Sequence, residues 1–224
     1  MFGLKKRGRC GILKSTPKKE EGRIFMEKNF ERELPGGYKL VKHINAKDIK
    51  FGIIFNLVGT LIAFAVIALG GIPVILNENY GAFDFWLLLA PAAFLSLIPM
   101  LIYMVLHELV HGIAYKRLTG EKLTFGLSWS CAFCGVPKIY TYRRTALIAV
   151  LAPFVVFSLL FGILAAVLYF VSLPLYLILV ILFGFHVGGC AGDLYVTALL
   201  LFKYKNPRTL MRDTGPEQFF YIPE

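Results

Sequence analysis

The residues of this chain best equipped for chemistry stand close together, as His107-Glu108-Leu109-Val110-His111. On a helix, positions i and i+4 share a face, so this spacing presents two imidazoles to one ion with a carboxylate beside them. A catalytic zinc ion takes three protein ligands, keeps a position for water and uses a neighbouring glutamate as general base on that water. His107 and His111 are therefore candidate zinc ligands and Glu108 the candidate general base. In a chain of this composition the pattern arises by accident with a probability of about 0.3%, so chance is a weak rival.

The elements that must position these residues follow from composition. Hydrophobic residues make up 57% and charged residues 17% of the 224, outside the balance of a soluble domain. Residues 51–77 carry no charge and exceed the roughly 20 residues needed to span a bilayer. A second apolar run, from about 86 to 115, has no Lys or Arg and holds HELVH near its end. Residues 145–173 form a third run, and Pro174 opens a fourth that reaches 202. The predicted fold class is an α-helical membrane protein with four transmembrane helices. A short β-hairpin-like segment lies between spans 2 and 3, where LTFGLSWS and PKIYTYRR flank CAFCGV.

The organisation this implies is a basic N-terminal segment at 1–50, a four-span domain at 51–202 and a polar tail at 203–224. A short ordered piece is expected near 38–44, with the rest of 1–50 a solvated tail. No cleavable signal is read at MFGLKKRGRC.

Lysine and arginine number 14 before the first span, 6 in the central segment 116–144, 4 after the last span and 0 in the other two connections. Positive-inside reasoning puts both termini and the central segment in the cytoplasm. The net charge of +10 then belongs to topology and to contact with membrane lipid, with no nucleic-acid partner implied.

Depth selects the third ligand. At 1.5 Å per residue, His111 and His107 lie about 8 and 14 Å along their helix from Lys116, and Asp193 lies about 15 Å from Lys203. His186 lies about 26 Å from Lys203, some 10 Å further out. Asp193 is level with the HELVH pair, and no other Asp or Glu occurs in the third and fourth spans, where an ionisable residue needs a function or a partner. His186 enters the ligand set only if the glycines at 188, 189 and 192 unwind the helix; its plainer role is a buried hydrogen-bonding histidine.

With HELVHG and CAGDL in hand, the chain resembles the site-2-protease-like intramembrane zinc metalloproteases, and more closely the small four-span membrane zincin peptidases. In such proteases HExxH lies in one span and an aspartate of a later span completes the metal site, positions matched here by His107, Glu108, His111 and Asp193. The LAPF stretch at 151–154 is similar to the proline-containing segment between the two ligand helices. The resemblance covers roughly residues 85–202. It implies a Zn2+ cofactor, hydrolysis of peptide bonds in or near the bilayer, and a membrane-protein or peptide substrate. Leu194 stands where site-2 proteases place a glycine, and their asparagine-proline element is absent, so the mode of substrate binding is not carried over.

Other features carry less. The glycines at 184, 188, 189 and 192 allow close helix packing, and 123–144 could offer an edge strand to an extended substrate. Cys131 and Cys134 form a lone CxxC, too few donors for a structural zinc site. Arg143 and Arg144 read as topogenic anchors, and Tyr80, Trp86, Tyr140 and Tyr142 as an aromatic belt. Two rival functions use the same residues: a zinc hydrolase acting on a lipid-linked substrate, and a non-enzymatic metal-binding or transport scaffold. The scaffold has no use for Glu108. The sequence leaves the oligomeric state open.

Overall fold

A computed structural model of the protein describes residues 29–77, 82–128 and 132–224, apart from the side chain of Asp84. Tyr80 and Cys131 lie outside the described residues. In chain order come β1 (Phe30–Glu31), β2 (Tyr38–Asn45), α1 (Ile49–Ile75), α2 (Ala82–Leu95), α3 (Leu97–Thr119), β3 (Thr124–Leu127), β4 (Ala132–Gly135) and β5 (Tyr140–Tyr142). There follow α4 (Arg143–Val171), α5 (Leu173–Gly189), α6 (Ala191–Ala198), a π-helical turn at Leu199–Lys203, β6 (Leu210–Asp213) and β7 (Glu217–Pro223).

Three helices, α1, α3 and α4, are long and apolar enough to cross a membrane. A fourth span results if α5, α6 and the π turn, bent by 40° at the Cys190 break, are taken as one. Local signals set the ends. The Asp48 carboxylate accepts from the Lys50 and Phe51 amides at 2.8 and 3.3 Å and starts α1. Gly120, at φ 71, closes α3 by donating to the Lys116 carbonyl, with Lys116 and Arg117 in the last turn.

The apolar run from 86 to 115, expected as one span, is two helices. The chain turns at Ser96, whose hydroxyl donates to the Ala93 carbonyl at 2.7 Å. Pro91 and Pro99, flanking the break, each remove a helical amide donor. The hairpin between spans is present, but its second strand is the AFCG piece: β3 pairs antiparallel with β4, Phe125 opposite Cys134. Tyr140–Tyr142 joins a different sheet.

That second sheet has the order β1-β5-β6-β7-β2, every pair antiparallel. It joins the ordered piece expected near 38–44, here β2, with residues 30–31 and 210–223, expected as solvated flanks, into one structure at the end of the bundle where α1 and α4 begin and α3 ends. Tyr142 donates to Glu31 Oε1 at 2.6 Å, and Tyr140 packs edge-on against Tyr221, so both serve the sheet. Arg143 donates from Nε to the Leu200 carbonyl at 2.7 Å and ties α4 to the π turn.

Between apolar helices, association rests on van der Waals packing and close approach. Along the seam of α1 and α5, Gly59 and Ala63 face Gly184 and Gly188; a Cβ on Gly59 would sit 2.5 Å from the Gly188 carbonyl oxygen. Tyr103, Phe157, Phe161, Leu179 and Leu182 fill the space among α3, α4 and α5. Ile44, Ala146, Val150, Val196, Leu200, Met211 and Phe220 bind the sheet to α4 and α6. This second cluster fixes α6, the carrier of Asp193.

Candidate metal centre

His107 and His111 lie on the buried face of α3, one turn apart. The break at Cys190 lets α6 start beside them with Asp193 in its first turn. Asp193 Oδ2 lies 3.2 Å from His107 Nε2 and 3.3 Å from His111 Nε2. His186, one helix further out on α5, does not reach Asp193; its Nδ1 bonds the Tyr103 hydroxyl at 2.7 Å.

The His111 ring is oriented by the backbone. Its Nδ1 lies 2.8 Å from the Ala149 carbonyl of α4, and a carbonyl only accepts, so Nδ1 carries a proton. In the neutral ring Nε2 then presents a lone pair to the Asp193 carboxylate, itself acceptor-only. Two acceptors at that distance need a proton or a cation between them. The donor set suits a metal: three atoms, one from each of His107, His111 and Asp193, lie within 4.8 Å of one another. Tetrahedral zinc with bonds of about 2.0–2.2 Å separates neighbouring ligand atoms by about 3.3–3.6 Å. The two Asp193 contacts are close to that edge.

Glu108 lines the same cavity, of about 360 Å³, with His107, His111 and Asp193. The Cys134 backbone of β4 makes a hydrogen bond to the Glu108 carboxylate, so the hairpin holds the candidate base. Across the cavity stand Asn56 and Thr60 of α1, one turn apart in an otherwise apolar stretch. Asp213, at the end of β6, and Gly215, in the β6–β7 connection, close one side. The Asp213 carboxylate accepts from the Tyr115 hydroxyl at 2.7 Å and from the Gly215 amide at 2.9 Å.

Cys134 is a buried free thiol. Burial pushes it up to about 12, with Asp213 and Glu108 adding to the shift, which leaves it unreactive at neutral pH.

Sequence reasoning missed Tyr103, Ala149, the Cys134 backbone and Asp213. Tyr103 alone left a signal, standing four residues before His107 on the same helix face.

Residues 100–207, which include all of His107, Glu108, His111, His186 and Asp193, match the family described as "Putative zincin peptidase". That family implies zinc as the cofactor, and the His and Asp cluster offers it a place. No curated protein and no solved structure matches the chain.

Proposed function

We propose, from the zincin-peptidase match of residues 100–207 as premise, that this protein is a membrane-embedded zinc metalloprotease that hydrolyses peptide bonds in or near the bilayer. The observation that carries the reading is the convergence of the two HExxH imidazoles on Asp193 beside Glu108 in one cavity. His107, His111 and Asp193 hold the metal. When bound, zinc supplies Lewis acidity toward the peptide carbonyl and toward water.

The protein's own groups do the rest. Glu108 takes a proton from the attacking water onto its carboxylate and returns it to the nitrogen of the leaving amine. The Cys134 backbone keeps that carboxylate turned into the cavity. The Ala149 carbonyl holds His111 with Nε2 inward. Asn56 and Thr60 give the α1 wall polar atoms for a peptide backbone that has left its own helical hydrogen bonding.

Four spans follow if α5 and α6 cross together, with the sheet and the central segment on the cytoplasmic side, where lysine and arginine concentrate. The substrate is then a membrane protein or peptide reached within the lipid, and no nucleic acid takes part.

The test compares purified wild type with Glu108→Gln for zinc content and for cleavage of membrane-peptide libraries. Retained zinc with cleavage lowered about 10²–10⁴-fold is expected. Unchanged cleavage would remove Glu108 as the base. Intact zinc with no cleavage of any peptide by wild type would turn attention to a lipid-linked substrate.

A further inference from the structure

The two histidines of the metal centre are not held in the same way. His111 Nδ1 meets a carbonyl, which fixes its proton. His107 Nδ1 meets the Tyr103 hydroxyl at 2.9 Å, and a hydroxyl donates or accepts with equal ease. If Tyr103 donated to His107, the proton of the neutral ring would sit on Nε2 and face Asp193, and no lone pair would be left for a metal.

The hydroxyl's direction is set further along. Tyr103 also lies 2.7 Å from His186 Nδ1, and His186 Nε2 lies 3.0 Å from Ser158 Oγ. The Phe154 backbone, one turn before Ser158 on α4, shares a hydrogen bond with the same imidazole; a carbonyl there requires His186 to donate. His186 is fully buried and ringed by Phe154, Phe157, Phe161 and Phe183, so the ring meets its partners away from bulk solvent.

We infer that Tyr103, His186 and Ser158 form a one-way hydrogen-bond chain that keeps the His107 proton on Nδ1 and its Nε2 free for the metal, which makes Tyr103 and His186 positioning residues. Each bond has one donor and one acceptor: His107 Nδ1–H to Tyr103 Oη, Tyr103 O–H to His186 Nδ1, His186 Nε2–H to Ser158 Oγ. The inference rests on the proposed ligand set of His107, His111 and Asp193.

It also disposes of a rival. His107, His186 and Cys190 bring three donor atoms within 4.8 Å, with Cys190 Sγ 3.7 Å from His186 Nδ1; in the chain that nitrogen accepts from Tyr103, the thiol being a weak donor beside it, and an ion there would have to displace the hydroxyl. Partners of this kind orient a ligand and raise its basicity, and their loss typically costs 10–100-fold in metal affinity.

The experiment uses full-length protein in detergent micelles. Zinc affinity is measured by chelator competition and ligand geometry by the visible absorption of the cobalt(II)-loaded protein, for wild type, Tyr103→Phe, His186→Leu, His186→Gln, Ser158→Ala, His107→Ala and Asp193→Ala. Tyr103→Phe and His186→Leu should weaken zinc about 10–100-fold and shift the cobalt bands. His186→Gln, whose amide oxygen still accepts from Tyr103, should restore most of the affinity, and Ser158→Ala, one link more distant, should lose less. In zinc-loaded wild type, ¹⁵N shifts should place the His186 proton on Nε2.

Affinity and cobalt spectra unchanged in both Tyr103→Phe and His186→Leu, or a His186 proton on Nδ1, overturn the chain. Loss in His186→Leu as complete as in His107→Ala would make His186 a ligand and overturn it as well. If Asp193→Ala binds zinc like wild type, the ligand set itself fails, a separate result. Should Tyr103→Phe not fold, Ser158→Ala and the ¹⁵N assignment still decide.

Discussion

Asp213 offers a quantitative test of how the sheet meets the cavity. Only 4% exposed, it sits on β6 with its carboxylate bonded to Tyr115 and Gly215. Burial pushes its carboxyl from 3.8 up to about 6; Asp193 adds to the rise, while the two hydrogen bonds and His111 oppose it. The folded protein therefore holds this proton more tightly than the unfolded chain does. Stability is greatest below the unfolded value and falls as pH rises from 3.8 to about 6. Roughly two pH units at 1.36 kcal/mol each give a penalty of about 3 kcal/mol, fully developed above pH 6.

Asp213→Asn removes the ionisation and keeps the shape. Its amide oxygen accepts from Gly215, and its NH₂ donates to the Tyr115 oxygen. The assay is chemical denaturation of both proteins in mild detergent across this pH range, with a chelator present so that metal binding adds no proton release of its own. Every other titrating group is common to the two proteins and cancels in the difference. The unfolding free energy of the variant relative to wild type should rise by about 2 kcal/mol between pH 4 and pH 7, the rest of the effect lying below pH 4. A difference that stays constant over that interval would refute the coupling of the Asp213 proton to folding.

Further outcomes are expected elsewhere in the molecule. Asp193→Ala should bind zinc as poorly as His107→Ala in chelator competition, since each removes one of the three proposed ligands. Gly188→Ala places a methyl against the Gly59 carbonyl oxygen and should cost about 1–3 kcal/mol in denaturation, as overpacking does. Site-resolved alkylation at neutral pH should leave Cys134 unmodified in the folded protein and label it after denaturation, because burial holds the thiol near 12.

The helices that carry the centre could be read from the sequence because lipid demands long uncharged runs, and a rise of 1.5 Å per residue converts sequence position into depth. That arithmetic puts Asp193 level with HELVH, where its carboxylate meets both imidazoles; it sets His186 about 10 Å further out, whereas a His186 ring nitrogen lies within 4.8 Å of one on His107, because both side chains turn toward the Tyr103 hydroxyl between them. The Ser96 break escaped because it carries neither charge nor glycine; the prolines at 91 and 99 were its trace. The sheet escaped for a different reason. A strand's partner is set by tertiary contact, and nothing in the local YKLVKHIN sequence of Tyr38–Asn45 names Glu217–Pro223 as its neighbour. The Tyr103, His186 and Ser158 contacts join three helices, and no spacing rule within one helix reveals them.

The pairing of β2 with β7 also bears on when the cavity is complete. Among the described residues β2 precedes the six helices and β7 follows them, yet Tyr38 lies opposite Pro223 and Asn45 opposite Glu217. Synthesis delivers residues in order, at about 5–20 per second. The helices therefore emerge, and Asp193 with them, before the strand that completes the sheet has been made. Gly215 and Gln218, which wall the cavity, arrive among the latest. Closure of the sheet therefore comes last: until Glu217–Pro223 has been made and has paired with Tyr38–Asn45, the cavity lacks the wall that Gly215 and Gln218 supply.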